Sequence, residues 1–381
     1  MIVKEVLSDF PTIEKVNYLS TASIGLVPNP VIERTKDFFI EMAEGGTLAL
    51  DEETEISVYD NLRNEGAKLF GCEPRDVAVF NSVSEALNSI AWSLELKEGK
   101  IISTNIEFPS VTYPGMRLAE KGNVQVELIT ADNWVISVDD LLEGINESTK
   151  VVFLSHVEFI TGQRFDLKKI TNRAHEYGAL VVVDGIQAAG YIPLNMKELN
   201  VDVYITGSYK WLLAPFGTAI AYISRNLCNK LTPAFVGWRT PKNMWDFNPM
   251  ELKYATTARK FEYSTSAYGV KIGFAESIKY LHKIGIKNIQ NHDMKLIDTL
   301  IQELDSIEGI KIISPEKRGS IVTFTIEGKE SKKISKKLCS LRRPVELTIR
   351  QNMVRVSPHV YNTEEDILEF VRNLKQIIQE L

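Results

Sequence analysis

The sequence predicts an α/β protein, with a large domain on a mostly parallel seven-stranded sheet and a smaller α+β domain after it. Three observations lead there. Seven short β-rich runs fall between residues 77 and 223. Most are continuously apolar rather than alternating, as strands buried on both faces of a parallel sheet must be. Helical patterns fall between several of them, the alternation of a doubly wound fold whose ligands bind at the carboxyl ends of the strands.

In chain order the runs are DVAVF, KIIST, VQVELI, KVVFLS, ALVVVD, VDVYIT and GTAIAYIS. The stretch from Ser84 to Trp92 after the first run reads as a helix. So does Lys168 to Tyr177 before the fifth, with Gly178 as its C-terminal stop. After about residue 270 the character changes. Helical stretches at 269–283 and 288–307 lead to weaker strand candidates at 310–313, 320–326 and 353–356, and an amphipathic helix from Glu364 to Leu381 ends the chain. The expected large domain spans residues 16–284, and the small one residues 1–15 and 285–381. No Gly/Ser linker, repeat or low-complexity tract intervenes, so the two are expected to pack tightly.

A chain of 381 residues has ample core for both. Its 44% hydrophobic and 25% charged residues are ordinary for a globular protein. The net charge of −6 argues against a general nucleic-acid binder. No apolar run approaches the ~18 residues of a membrane span, and the acidic N-terminus lacks the apolar core of a signal peptide. A cytoplasmic location is expected. Cys72, Cys228 and Cys339 are widely spaced, offering neither a disulfide framework nor a zinc site, and no metal is expected.

The chemistry gathers around Lys210, which follows VDVYIT and lies twenty-six positions after Asp184 at the end of ALVVVD. A lysine at the mouth of a buried strand is partly desolvated, which lowers its pKa and makes the amine nucleophilic. An aspartate at a neighbouring strand mouth must be paired to stay ionised, and a pyridinium nitrogen is such a partner. That pair is what pyridoxal phosphate needs from a protein. Gln187 is placed to donate to the cofactor's phenolate oxygen. Ser82 to Ser84 sit at a strand-to-helix turn that suits either a phosphate or a plain N-cap. Phe108, after KIIST, offers a ring to a planar ligand or a loop aromatic. Arg355 reads as a carboxylate clamp or a surface arginine.

In order and spacing these stretches resemble the class V aminotransferases, fold-type I pyridoxal phosphate enzymes. The resemblance runs from Tyr18-Leu-Ser-Thr-Ala through Asn81-Ser-Val-Ser, Glu107-Phe-Pro-Ser, Ser155-His-Val, Asp184-Gly-Ile-Gln187 and Ser208-Tyr-Lys-Trp-Leu to Phe261-Glu-Tyr-Ser-Thr265 and Val354-Arg-Val-Ser-Pro-His-Val-Tyr-Asn-Thr363. It implies that Lys210 forms the Schiff base, Asp184 and Gln187 hold the ring, and Phe108 stacks on it. It further implies that Val83, Ser84 and Tyr209 hold the phosphate, and that Thr265 reaches the phosphate of a neighbouring subunit in a homodimer. Arg355 then binds the carboxylate of a small amino acid substrate. The chain looks nearest to the branch of isopenicillin-N-epimerase-like and lyase-like members, and also resembles kynureninase.

Cysteine desulfurases and selenocysteine lyases share this fold and form the alternative. They carry an asparagine shortly after Ser-His-Val, where this chain has Glu158-Phe159, and a mobile catalytic cysteine upstream of the arginine. Cys339 lies sixteen residues before Arg355, but its surroundings read as a helix with Ile334, Leu338 and Leu341 on one face. That favours a structural thiol. A nucleotide-binding α/β protein or a non-catalytic member of the fold is a remote alternative, since no GxGxxG follows any strand and both Lys210 and Asp184 are present.

Overall fold

Each of the seven β-rich runs forms a strand of one sheet. The computed structural model describes residues 4–380. Its large-sheet strands are β1 (Val77–Phe80), β2 (Glu98–Thr104), β3 (Asn123–Ile129), β4 (Thr149–Ser155), β5 (Leu180–Asp184), β6 (Val203–Gly207) and β7 (Ala219–Ile223). They lie in the order β1-β7-β6-β5-β4-β2-β3. All neighbours are parallel except β7, which runs antiparallel to both β1 and β6.

The apolar runs are continuous because both faces are covered. Val152, Leu154, Val181 and Val183 enter one core, while Val151, Phe153, Val182 and Ile205 enter the other. This is the period-two alternation of a strand with no wet face. The covering helices are α1 (Asn29–Gly45), α2 (Glu52–Phe70), α3 (Val83–Ser93), α4 (Pro109–Ala119), α5 (Leu167–Glu176) and α6 (Tyr268–Ile284). The register sets Ser155 beside Asp184 and Asp184 beside Ile205, so the strand ends from which Asp184 and Lys210 emerge share one edge.

The C-terminal region folds as α7 (Ile286–Asp305), β8 (Ile310–Ile312), β9 (Val322–Ile326), α8 (Ser331–Cys339), β10 (Thr348–Arg350), β11 (Met353–Val356) and α9 (Glu364–Glu380). Its strands form an antiparallel sheet in the order β10-β11-β9-β8. A third core, including Leu296, Leu300, Phe324, Val354 and Phe370, lies between that sheet and its helices. Strand β10 was not legible as an element, being three residues long with only Thr348 buried.

The chain start is stitched to this region. Phe10 packs on Tyr361 with ring centroids 5.1 Å apart, Asn17–Tyr18 pairs in parallel with Val345–Glu346, and Leu19 enters the third core. Residues 1–3 of the expected small domain, and Leu381 of the expected last helix, lie outside the described residues. No helix among the described residues is long and apolar enough to cross a membrane.

Candidate active site

Val83, Ser84, Phe108, Asp184, Gln187, Tyr209 and Lys210 line one pocket at the carboxyl ends of the strands. Lys210 leaves β6 on a tight loop in which the Leu213 N–H donates to its carbonyl (3.1 Å). The Gly25 N–H donates to Tyr209 O (2.8 Å), which lays an N-terminal segment across the same loop. Burial lowers the Lys210 amine to about 8; Asp184 opposes that shift, and Arg355 and Arg350 add to it.

Asp184 is 3% exposed and accepts the Ile186 N–H at 2.9 Å. Burial lifts its carboxyl to about 6, against the pull of that bond and of Lys210. A buried carboxylate held by one backbone N–H is stabilised by a cation in the pocket. Gln187 is oriented from behind. Its Oε1 accepts from Trp211 Nε1 (2.7 Å) and its Nε2 donates to Ala22 O (2.9 Å). The indole can only donate, so it decides which amide end is oxygen and leaves Nε2 one further proton to give.

At the start of α3 the structure separates the two serines. Ser82 is the N-cap, accepting from Glu85 N (3.0 Å), while Glu85 accepts from Asn81 N (2.6 Å) in return. Ser84 is free of the capping role, and its hydroxyl bonds that of Ser110 (2.7 Å). The first-turn amides of α3 therefore face the pocket at the positive end of the helix.

Phe108 is about half exposed at the head of α4 and meets Phe159 edge-on, centroids 5.4 Å apart. Lys210 Nζ lies 5.9 Å from the Phe108 ring and 5.8 Å from the Tyr209 ring, and Tyr209 in turn stacks on Phe216.

Arg355 is no surface residue: it is 2% exposed on β11. Its Nη1 donates to Phe159 O (2.6 Å) and its Nη2 to Ser23 Oγ (2.7 Å). Burial lowers its pKa to about 9, helped by Arg350 and opposed by Glu158. Arg355 thus meets the pocket through Phe159, one of its lining residues, whereas Thr265 stands apart from it in the single chain. It is exposed, and its hydroxyl accepts from Trp238 Nε1 (3.1 Å).

Several neighbours had no sequence-derived role. Ser23 and Thr348 share a 2.7 Å hydroxyl contact, and Thr348 meets Ser20 at 2.8 Å, which braces Arg355. No local pattern announces a pair joined across the length of the chain. Glu107 accepts from the backbone N–H and hydroxyl of Ser155, and burial pushes its carboxyl up to about 8. Glu158 accepts from Ile160 N and Thr161 N and is lifted to about 7 by burial. Glu107 stands in a stretch that the family resemblance singled out, and Glu158 at the position where the chain departs from the desulfurase pattern.

Cys339 is exposed at the end of α8, its sulfur 3.6 Å from Val345 O, and burial is the larger cause raising its thiol pKa. The two-residue turn Gln351–Asn352, with φ of 49° and 60°, joins β10 to β11, with Met353 and Val354 between it and Arg355.

Pyridoxal phosphate fits these residues. Among the described residues Asp184 has no ion-pair partner, a role that a protonated ring nitrogen would fill, Gln187 has a directed spare proton, and the first turn of α3 lines the pocket where its amides would take a phosphate. The comparisons agree. The family model described as "Aminotransferase class-V" matches residues 17–370. The chain is 29% identical over 364 residues to a Bacillus subtilis protein named as the uncharacterized aminotransferase YcbU, covering 94% of this chain and 93% of that one. It is 28% identical over 398 residues to a probable cysteine desulfurase of Methanothermobacter thermautotrophicus, covering 99% and 98%. The solved apo structure of a cysteine desulfurase from Thermococcus onnurineus NA1 superposes with a TM-score of 0.90 at 25% identity, covering 100% of this chain and 99% of that one. The chain belongs to the class V aminotransferase family of pyridoxal-phosphate-dependent enzymes.

Proposed function

We propose that this enzyme acts at Cα of a small amino acid, with Lys210 as the residue that carries the cofactor and then moves the Cα proton. The observation that supports this most is the convergence of Lys210, lowered to about 8, with the buried Asp184 at one sheet edge. Bound pyridoxal phosphate supplies an electron sink for the charge left at Cα. Asp184 would hold the ring nitrogen protonated. Gln187, fixed by Trp211, would donate to the phenolate oxygen, and the N-terminus of α3 with Ser84 and Tyr209 would take the phosphate. Arg355 holds the substrate carboxylate. With its pKa lowered to about 8, the free Lys210 Nζ would be a base near neutral pH, suited to take the Cα proton and return it. The outcome is transamination, or a lyase or epimerase reaction.

The names of several relatives favour a second reading, cysteine desulfurase. That chemistry calls for a mobile thiol upstream of the arginine. Here the stretch before Arg355 is a closed hairpin, and Cys339 ends a helix with a raised pKa. The first reading is therefore preferred. Purified enzyme should be assayed for keto-acid-dependent amino transfer and for sulfide release from cysteine, with and without Cys339→Ala. Turnover that survives the substitution is expected, whereas sulfide release that disappears with it selects the desulfurase.

A further inference from the structure

We infer that Arg350 anchors an anionic side chain, so that the preferred substrates are amino acids with a second acidic group beyond the α-carboxylate. This rests on the reading of Arg355 as the residue that holds the α-carboxylate.

The placement follows from strand register. Thr348 on β10 lies opposite Arg355 on β11, and Arg350 is two residues further along β10. Directly opposed residues and residues two apart share one face of a sheet, so Thr348, Arg350 and Arg355 do so here. That face is the one joined to the Ser20–Gly25 segment, through Thr348 to Ser20 and Ser23 and through Arg355 to Ser23. The same segment lies across the Lys210 loop, with Gly25 against Tyr209 O.

The hairpin that carries Arg350 is held at its turn. Asn352 O accepts from Ser331 Oγ (2.6 Å), and Asn352 Oδ1 accepts from Ser331 N (3.2 Å).

The guanidinium itself is uncommitted. Its one hydrogen bond goes to the carbonyl of its neighbour Ile349 (2.9 Å), and among the described residues it has no acidic partner. Its charge is nevertheless felt at both Lys210 and Arg355, where it disfavours the protonated form. Lys210, Arg355 and the exposed Arg350 are thus within electrostatic reach of one another.

The acids nearby do not balance them. Asp184 would pair with the ring nitrogen, Glu107 is bonded to Ser155, and Glu158 to the 160–161 backbone. With Arg355 taking one carboxylate, a second planar fork remains, matched in shape and charge to a carboxylate, sulfinate or phosphate.

The test uses two ligands that cannot react because they lack an amine. Cofactor-loaded protein is titrated calorimetrically with succinate and with butyrate. Succinate should bind about tenfold tighter or more, with an advantage that shrinks as salt rises. Arg350→Gln should abolish the advantage, Arg350→Lys should restore part of it, and Arg355→Gln should weaken both ligands. Equal affinity of the native protein for the two, failure to bind either, or an Arg350→Gln variant that keeps the preference overturns the inference. Borohydride treatment of the same sample reads the underlying function separately. If no cofactor is fixed on Lys210, the broader reading fails and takes this inference with it.

Discussion

Asp184 and Lys210 show how one buried edge tunes two groups in opposite senses. Burial disfavours both charges, so the carboxyl rises to about 6 and the amine falls to about 8, each moderated by the other. The pair has a consequence for stability. The folded pKa of Asp184 lies above the ordinary 3.8, so the folded chain keeps a proton that the unfolded chain has already lost. Cofactor-free protein should therefore lose stability as pH rises from about 4 through about 6, by up to ~3 kcal/mol. Asp184→Asn should remove Asp184's share of that slope, leaving the contributions of the similarly raised Glu107 and Glu158, and should raise the urea midpoint at neutral pH while lowering turnover for want of a pyridinium partner. Urea titrations of both proteins across that pH range check the first part. A native protein whose midpoint is flat or rises there contradicts it.

At the scale of elements, the site depends on a close backbone approach and on a turn. A Cβ built on Gly25 would stand 2.0 Å from Lys210 O and 2.7 Å from the Leu213 side chain. Backbone cannot yield as a flexible side chain can, so Gly25→Ala should displace the Lys210 loop and cost about 2 kcal/mol or more. Thermal unfolding of the cofactor-free protein reads the cost, and loss of cofactor uptake reads the displacement. An unchanged Tm with normal uptake refutes this account of the loop. The hairpin of β10 and β11 matters in another way. Its two-residue turn brings Arg355 straight back to the sheet, leaving no length of chain there to carry a moving thiol.

The whole molecule was legible in the sequence to unequal depths. The seven strands of the large sheet declared themselves because burial on both faces makes them continuously apolar, as in Val181–Val183. Lys210, Asp184 and Gln187 were legible because each stands at or just past the end of such a strand, where a buried polar group must find a partner. Helices α1 and α2 were not, since their mixed charged and apolar residues gave no run to stand out. The brace of Ser20, Ser23 and Thr348 behind Arg355 was invisible for a topological reason: its members come from opposite ends of the chain and meet only when the two regions dock. Thr265 belongs to a larger scale still. It is exposed and outside the pocket of its own chain, and the nearby segment bears exposed Phe235, Val236, Phe247 and Met250. We expect a dimer in which Thr265 serves the partner's phosphate. Sedimentation should give twice the 43.0 kDa chain mass. Thr265→Ala should weaken cofactor retention about tenfold without lowering the Tm of the cofactor-free protein. A monomer that retains cofactor fully excludes the arrangement.

The central claim is that Lys210 carries the cofactor, and borohydride reduction followed by peptide mapping tests it most directly. Protein loaded with pyridoxal phosphate should be yellow, lose that colour on reduction, and yield a single phosphopyridoxyl peptide containing Lys210. A modified peptide elsewhere, for instance at the buried Lys271, or a protein that stays colourless after reconstitution, contradicts the account.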